Sequence, residues 1–380
     1  DFMVTFMNDW SEAYPVEAVF TATTDGAAAT VGLNADLINN RICPETDLFN
    51  ERGEFSGTYT NPLTEEEEEY TLLTAAYMPE SLAADEAKNP LVIWLHGQGE
   101  GGTDPDITIL GNEVSALTHD EIQAHFTTDG GEGGAYVLAV QCPTYWMDGG
   151  DGTNSNGDLV SRYTEVLMDT IKDFVDSHDD IDTDRIYLGG CSNGGYMTMN
   201  MVVSYPDYWA AAYPCCEAYA FNMFERNDDG SYKVDVDDSG FIPVSTYYPT
   251  DERWMTDEKI ASLKDLPIWF IQSIDDTTVN PTTFAMPTYR AMLQAGDDNK
   301  WFSMFENVAG TDDPTAQYMG HWSWVYLFND EVTGVQDTDA IKDSAEDDAT
   351  FGFTATNNGG GTAQAGDFSN IFDWLNAQKK

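Results

Sequence analysis

The sequence predicts an α/β fold, a doubly wound and mostly parallel sheet preceded by a β-rich N-terminal segment. Three observations predict it. After residue 88, apolar runs of strand length alternate with longer stretches of helical period, as when parallel strands are joined by crossover helices. Two of those runs, Leu91-Val92-Ile93-Trp94-Leu95 and Leu266-Pro267-Ile268-Trp269-Phe270-Ile271, show no polar alternation, as expected of strands covered on both faces. Before residue 88 the strand-like runs are parted by turn residues.

In chain order, Val16 to Phe20, Ala29 to Leu33 and Tyr70 to Tyr77 read as strands, the last expected to enter the main sheet among its first, antiparallel members. Residues 1–88 are thus a β-rich segment, whose first 55 or so residues either form a small sandwich or wrap the core, and residues 89–380 are the main domain. There, Leu91 to Leu95 and Ala135 to Val140 are strands, and Leu159 to Ser177 a helix with Val160, Tyr163, Leu167, Ile171 and Phe174 on one face. Arg185 to Gly189 is a strand, Tyr196 to Ser204 a helix, and Ala210 to Pro214 the next strand. Strands Leu266 to Ile271 and Trp301 to Phe305 enclose a helix over Thr283 to Leu293, and Ser369 to Ala377 closes the chain as a helix with Ile371, Phe372 and Leu375 inward. The stretches 218–263 and 329–367 are insertions, longer and more polar than the roughly 2–6 residues that usually join strand and helix. Gly359-Gly360-Gly361 reads as a flexible loop.

The chemistry is carried by three segments at strand ends. Gly190-Cys191-Ser192-Asn193-Gly194 follows one strand and opens a helix. In that setting Gly-x-Ser-x-Gly is a tight turn whose glycines allow close chain approach and whose serine is pushed outward, so Ser192 is the candidate nucleophile. His96-Gly97-Gln98-Gly99-Glu100-Gly101-Gly102 follows another strand, where the glycines expose backbone N–H groups. Fixed donors aimed at a developing oxyanion contribute about 2.7–4 kcal/mol each, and Gln98 N–H and Asn193 N–H are assigned to that role. The run lacks the Gly-Lys-Ser/Thr ending of a phosphate loop. Downstream, Gln272-Ser273-Ile274-Asp275-Asp276 places an acid after a late strand. Asp276 is chosen from its position before Val279, and Asp275 would replace it on a one-residue shift.

Of His96, His119, His125, His178 and His321, only His321 follows both Ser192 and Asp276. His125 and His178 read as packed structural residues. The order Ser, Asp, His is that of the α/β-hydrolases. In that arrangement His321 takes the serine proton, Asp276 orients the ring, and neither metal nor organic cofactor is needed. The cleft wall is expected to be aromatic, with Trp146 and Trp322 nearest the catalytic strand ends and suited to stacking on aryl esters.

Leu95-His96-Gly97-Gln98-Gly99-Glu100, Gln141-Cys142-Pro143 and Gly190-Cys191-Ser192-Asn193-Gly194-Gly195-Tyr196 resemble the secreted esterases grouped with polyhydroxybutyrate depolymerases and feruloyl esterases, sequences often labelled prolyl-oligopeptidase-like. The resemblance covers roughly residues 70–380. It implies a serine carboxylic-ester hydrolase, and related enzymes act on polymers including aromatic polyesters such as PET. A serine peptidase of the prolyl-oligopeptidase-like type and a non-catalytic binding protein on this fold are the alternatives.

Composition bounds the rest. The chain has 380 residues, 42% of them hydrophobic, enough for a large core. No apolar stretch approaches the ~18 residues of a membrane span. Asp1-Phe2-Met3-Val4 carries no leader pattern, so a secreted protein would have lost its signal, and an extracellular monomer is expected. With 67 acidic against 16 basic residues the net charge is -51, which excludes nucleic acid and anionic lipid surfaces as partners and disfavours polyanionic substrates. So strong a self-repulsion is relieved where salt shortens the screening length, which suggests salty surroundings. Glu65 to Glu69 reads as a solvated edge and Asp228 to Asp238 as an exposed hairpin. Neither the hairpin nor Asp151 to Asp158 has the ligand spacing of a calcium loop, and calcium is carried only as a minor alternative. Cys43, Cys142, Cys191, Cys215 and Cys216 form no metal motif. Cys191 could bridge to Cys215 or Cys216, although buried thiols are the simpler expectation.

Overall fold

A computed structural model describes residues 16–24, 27–35, 43–237, 244–311, 313, 315–342 and 348–380. The readings of Asp1 to Val4 and of Asp238 lie outside the described residues. Strands β1 (Val16–Thr24) and β2 (Ala27–Ala35) pair with each other antiparallel as a separate two-stranded sheet. The main sheet begins with β3 (Glu51–Thr60) and β4 (Glu67–Tyr77), followed by β5 (Asn89–Leu95), β6 (Tyr136–Gln141), β7 (Ile181–Cys191) and β8 (Ala211–Cys215). Short strands β9 (Asn222–Phe224), β10 (Val234–Asp237), β11 (Val244–Tyr247) and β12 (Pro249–Arg253) belong to the first insertion. The main sheet is completed by β13 (Ile268–Ser273) and β14 (Lys300–Phe305).

The strand order is β14-β13-β8-β7-β5-β6-β4-β3. Strands β6, β5, β7, β8, β13 and β14 run parallel, and β4 and β3 are added antiparallel beyond β6. Every residue of β5, β6, β8 and β13 is buried, which is why they read as unbroken apolar runs. Side chains alternate between two core layers. Leu91, Ile93 and Leu95 face one layer with Leu167, Ile171 and Met197, and Val92 and Trp94 face the other with Ile109, Trp269 and Trp374.

Two expectations are corrected, and one strand is added. The helix expected from Leu159 begins only at Thr164 and ends at Asp176, and Val160 lies before it, 49% exposed. Ser161 accounts for the late start, because its Oγ accepts from Tyr163 N–H (3.1 Å) and its carbonyl from Thr164 Oγ1 (2.7 Å), local bonds that compete with a helical turn. The glycines at 359–361 are buried, and Gly360 O accepts from Met304 N–H (2.7 Å). A Cβ on Gly360 would stand 2.6 Å from Ser303 Cβ, so this run is a packed turn rather than a flexible loop. Strand β3 carries no clear strand signal in the sequence. It is an edge strand, mostly exposed and charged over Glu51, Arg52 and Glu54, and edges carry charge to resist further pairing.

The acidic segment Asp228 to Asp237 is exposed, and β10 pairs with β11 as a hairpin. No disulfide joins the described cysteines. Cys191 and Cys215 are register partners on β7 and β8, and both are buried thiols.

Candidate active site

Strand β7 ends at Cys191 and the helix Asn193–Ser204 starts two residues later, leaving Ser192 alone to reverse the chain. It does so at φ 56° and ψ −114°, a region an L-residue occupies only when its surroundings enforce it. Those surroundings explain the glycines. A Cβ on Gly190 would lie 2.6 Å from Leu95 O, and one on Gly194 would collide with the same carbonyl. Ser192 N–H is anchored to Cys215 O (3.0 Å), and Tyr196 N–H to Ser192 O (2.8 Å).

The acid and the base meet at the ends of β13 and β14. His321 Nδ1 donates to Asp276 Oδ2 at 2.8 Å, both groups buried. Asp276 is fixed by three further donors, Thr278 N–H (2.8 Å) and Val279 N–H (2.9 Å) to Oδ1 and Gln272 Nε2 (2.9 Å) to Oδ2. Asp275 instead accepts from Ser273 Oγ (2.5 Å), so the one-residue ambiguity falls to Asp276. With Nδ1 donating to the carboxylate, Nε2 is left as the basic nitrogen. Ser192 and His321 line one cavity of about 640 Å³. Among the described residues no hydrogen bond joins them, a contact that commonly tightens only with substrate.

Gln98 lines the same cavity, in a single turn of tight helix over Gln98–Glu100. Asn193 is the first residue of the helix after Ser192, where N–H groups have no intrahelical partner. Among the described residues neither Gln98 N–H nor Asn193 N–H finds an acceptor. His96, just before the loop, is structural. Its Nε2 accepts from Cys142 N–H (3.2 Å), and burial pushes its pKa down to about 4, so it stays neutral and ties β5 to the end of β6.

The two tryptophans part company. Trp322 lines the cavity, 39% exposed, with ring centroids 6.1 Å from Tyr318 and 6.3 Å from Trp324, and these rings form one wall. Trp146 does not reach the cleft. Its indole is fully buried, 5.1 Å from His96 and edge-on to Tyr163 at 6.1 Å, because the chain after β6 turns back into the core. Trp146 is therefore a core residue and not, as expected, part of the substrate wall.

Three acids that sequence reasoning passed over shape the site. Glu100 lines the cavity with its carboxyl buried, Oε2 unpartnered, and burial pushes its pKa up to about 7. Glu217 lies behind the turn, its Cα 2.8 Å from where a Cβ on Gly195 would stand. Asp148 is fully buried and holds the loop after β6, Oδ1 accepting from Gly150 N–H (2.8 Å) and Gly152 N–H (3.0 Å) and Oδ2 from Thr144 Oγ1 (2.8 Å). Among 67 acidic residues no sequence signal marks these three. Among the described residues no group of three or more His, Cys, Asp or Glu side chains is placed to hold a metal ion.

Residues 162–308 match the model of the prolyl oligopeptidase family. No curated protein matches the chain. Among solved structures, a thermostable esterase is similar with a TM-score of 0.52 at 20% identity over 80% of this chain, which spans 66% of that esterase's length. The feruloyl esterase module of Clostridium thermocellum, crystallised as an S954A mutant with sinapinate, gives 0.40 at 14% identity, covering 76% of this chain and 88% of that one. An acylaminoacyl peptidase from Pyrococcus horikoshii gives 0.41 at 15% identity, covering 73% and 40%. At those scores the last two decide nothing. The similarity to the first of these is one of fold, and with the parallel strand order β14-β13-β8-β7-β5-β6 and the strained serine between strand and helix the chain is an α/β-hydrolase by fold.

Proposed function

We propose that the chain is a serine hydrolase that cleaves carboxylic esters through an acyl-enzyme, with aryl esters or polyesters as substrates. Feruloyl esters, polyhydroxyalkanoates and aromatic polyesters such as PET are the candidate classes. The observation that carries the reading is the His321–Asp276 pair at 2.8 Å opening on the cavity that Ser192 lines.

His321 Nε2 takes the proton of Ser192 Oγ as that oxygen bonds to the acyl carbon. The carbonyl oxygen becomes negative and is met by Gln98 N–H and Asn193 N–H. The carbon–oxygen bond to the alcohol then breaks, and the alcohol leaves with the proton from Nε2. Water, deprotonated by the same nitrogen, cleaves the acyl-enzyme and restores the serine. Asp276 holds the ring throughout and stabilises the imidazolium. The exposed face of Trp322 favours flat aryl groups by stacking. No metal or organic cofactor enters these steps. The charge of -51 suits an extracellular enzyme working in salt.

The match of residues 162–308 to the prolyl oligopeptidase family supports a peptidase as the second reading. Wild type and Ser192→Ala assayed on p-nitrophenyl acetate and on a peptide p-nitroanilide separate the two. Ester cleavage that vanishes with Ser192, without anilide cleavage, is the expected result. Serine-dependent anilide cleavage at comparable rate would favour the peptidase, and an inactive wild type would leave a binding protein.

A further inference from the structure

Asn154 lies in the loop between β6 and the helix Thr164–Asp176, outside both oxyanion segments, yet its amide bonds to each of them. Its Nδ2 donates to Gln98 Oε1 (3.0 Å), and its Oδ1 accepts from Asn193 Nδ2 (2.7 Å). Asn193 Oδ1 in turn accepts from Met147 N–H (3.1 Å). That last bond fixes the direction of the whole chain. Met147 can only donate, so Asn193 must present its oxygen there and its NH₂ to Asn154. Asn154 then has its oxygen occupied and its NH₂ left for Gln98.

We propose that Asn154 is a positioning residue, a latch that holds the two halves of the oxyanion hole at a fixed separation; this rests on the serine-hydrolase reading above. The two donors come from segments of unequal stiffness. Asn193 N–H is set by the helix behind it and by the Ser192 anchor to β8. Gln98 N–H sits in one short turn between Gly97 and Gly99, residues with wide backbone freedom. An oxyanion donor works only when held within about 2.7–3.1 Å of the charge it meets, so the looser donor needs an external brace. The latch has firm footing. Asp148 fixes Gly150 and Gly152, Asp151 Oδ1 accepts from Thr153 N–H (2.9 Å) and Thr153 Oγ1 (2.7 Å), and Ser155 N–H bonds to Met147 O (3.1 Å). A side-chain amide donates to one partner and accepts from the other, as this bridge requires. Alanine removes both bonds, whereas aspartate keeps the bond to Asn193 and meets Gln98 only if that amide turns over to donate its Nε2.

The test uses p-nitrophenyl acetate, whose acetyl group is too small to span the loops, with wild type, Asn154→Ala, Asn154→Asp, Gln98→Ala and the Asn154→Ala/Gln98→Ala double variant. Deleting a whole oxyanion donor costs about 10²–10³ in kcat, so a donor left in place but unbraced should cost about tenfold. Asn154→Ala should lose that in kcat with KM within about twofold, and Asn154→Asp should lose no more. The affinity of Asn154→Ala for phenylboronic acid, which forms a tetrahedral adduct on the serine, should fall by a similar factor. The double variant should be no slower than the slower single, since both changes break the same link. Unchanged kcat in Asn154→Ala, a loss confined to KM, unchanged boronate affinity, or multiplying losses in the double variant would each overturn the latch while leaving the hydrolase intact. A wild type without Ser192-dependent turnover would overturn the functional reading and the latch with it.

Discussion

Replacing Glu217 by glutamine should stabilise the protein increasingly as the pH rises. The carboxyl is fully buried, and its one bond is from Tyr219 N–H to Oε2 (2.6 Å), with Oε1 unpartnered. No described cation pairs with it, and burial pushes its pKa from about 4.5 up to about 8. Between those two values the folded state holds a proton that the unfolded state has released, so stability falls as pH rises through the window and levels off above about 8. From pH 5 to pH 9 roughly three pH units of that slope are traversed, at about 1.4 kcal/mol each, or about 4 kcal/mol. Glutamine keeps the shape and the acceptor for Tyr219 but does not ionise. Urea unfolding of both proteins at pH 5 and pH 9 isolates the effect, because all other titrating groups cancel in the difference. The advantage of Glu217→Gln over wild type should grow by about 4 kcal/mol between the two conditions. A difference that does not change with pH would refute the claim that this carboxyl is neutral in the folded protein.

Further expectations concern the tryptophans and the charge. Trp322→Ala should lower kcat/KM on an aryl ester about 3–10-fold more than on a short acetyl ester, whereas equal losses would remove the stacking wall. Trp146→Ala should destabilise by about 3–5 kcal/mol in urea and leave the ratio of aryl to acetyl ester rates unaltered, and a changed ratio would return it to the cleft. A melting series in NaCl should show Tm rising as screening relieves the net charge of -51, and a flat or falling series would leave solubility as the meaning of that charge.

The features legible in the sequence were those with steric or topological cause. Gly190 and Gly194 must be glycine because Leu95 O occupies the space of a side chain, and that constraint marks Ser192. Covered strands such as β5 and β13 advertise themselves because no polar residue survives on either face. Other parts leave no such trace. Asp275 and Asp276 differ by one step at a strand end, and only the turn to Val279 decides which carboxylate points at His321. Trp146 and Trp322 are alike in type and follow strand ends alike, but the first turns inward and the second outward. Strand β3 hides because its first four residues are exposed and only Phe55 and Tyr59 turn to the core, too short an apolar alternation to stand out. Asn154 is a polar residue in a polar loop, and its partners stand 56 and 39 positions away in the chain.

Acid quenching during turnover of p-nitrophenyl acetate, followed by peptide mass spectrometry, tests the proposed mechanism most directly. An acetyl group on the peptide carrying Ser192 in wild type, and none in His321→Ala, is the predicted result. Continued ester turnover with Ser192 never acylated, or with the acetyl group found on another residue, would contradict it.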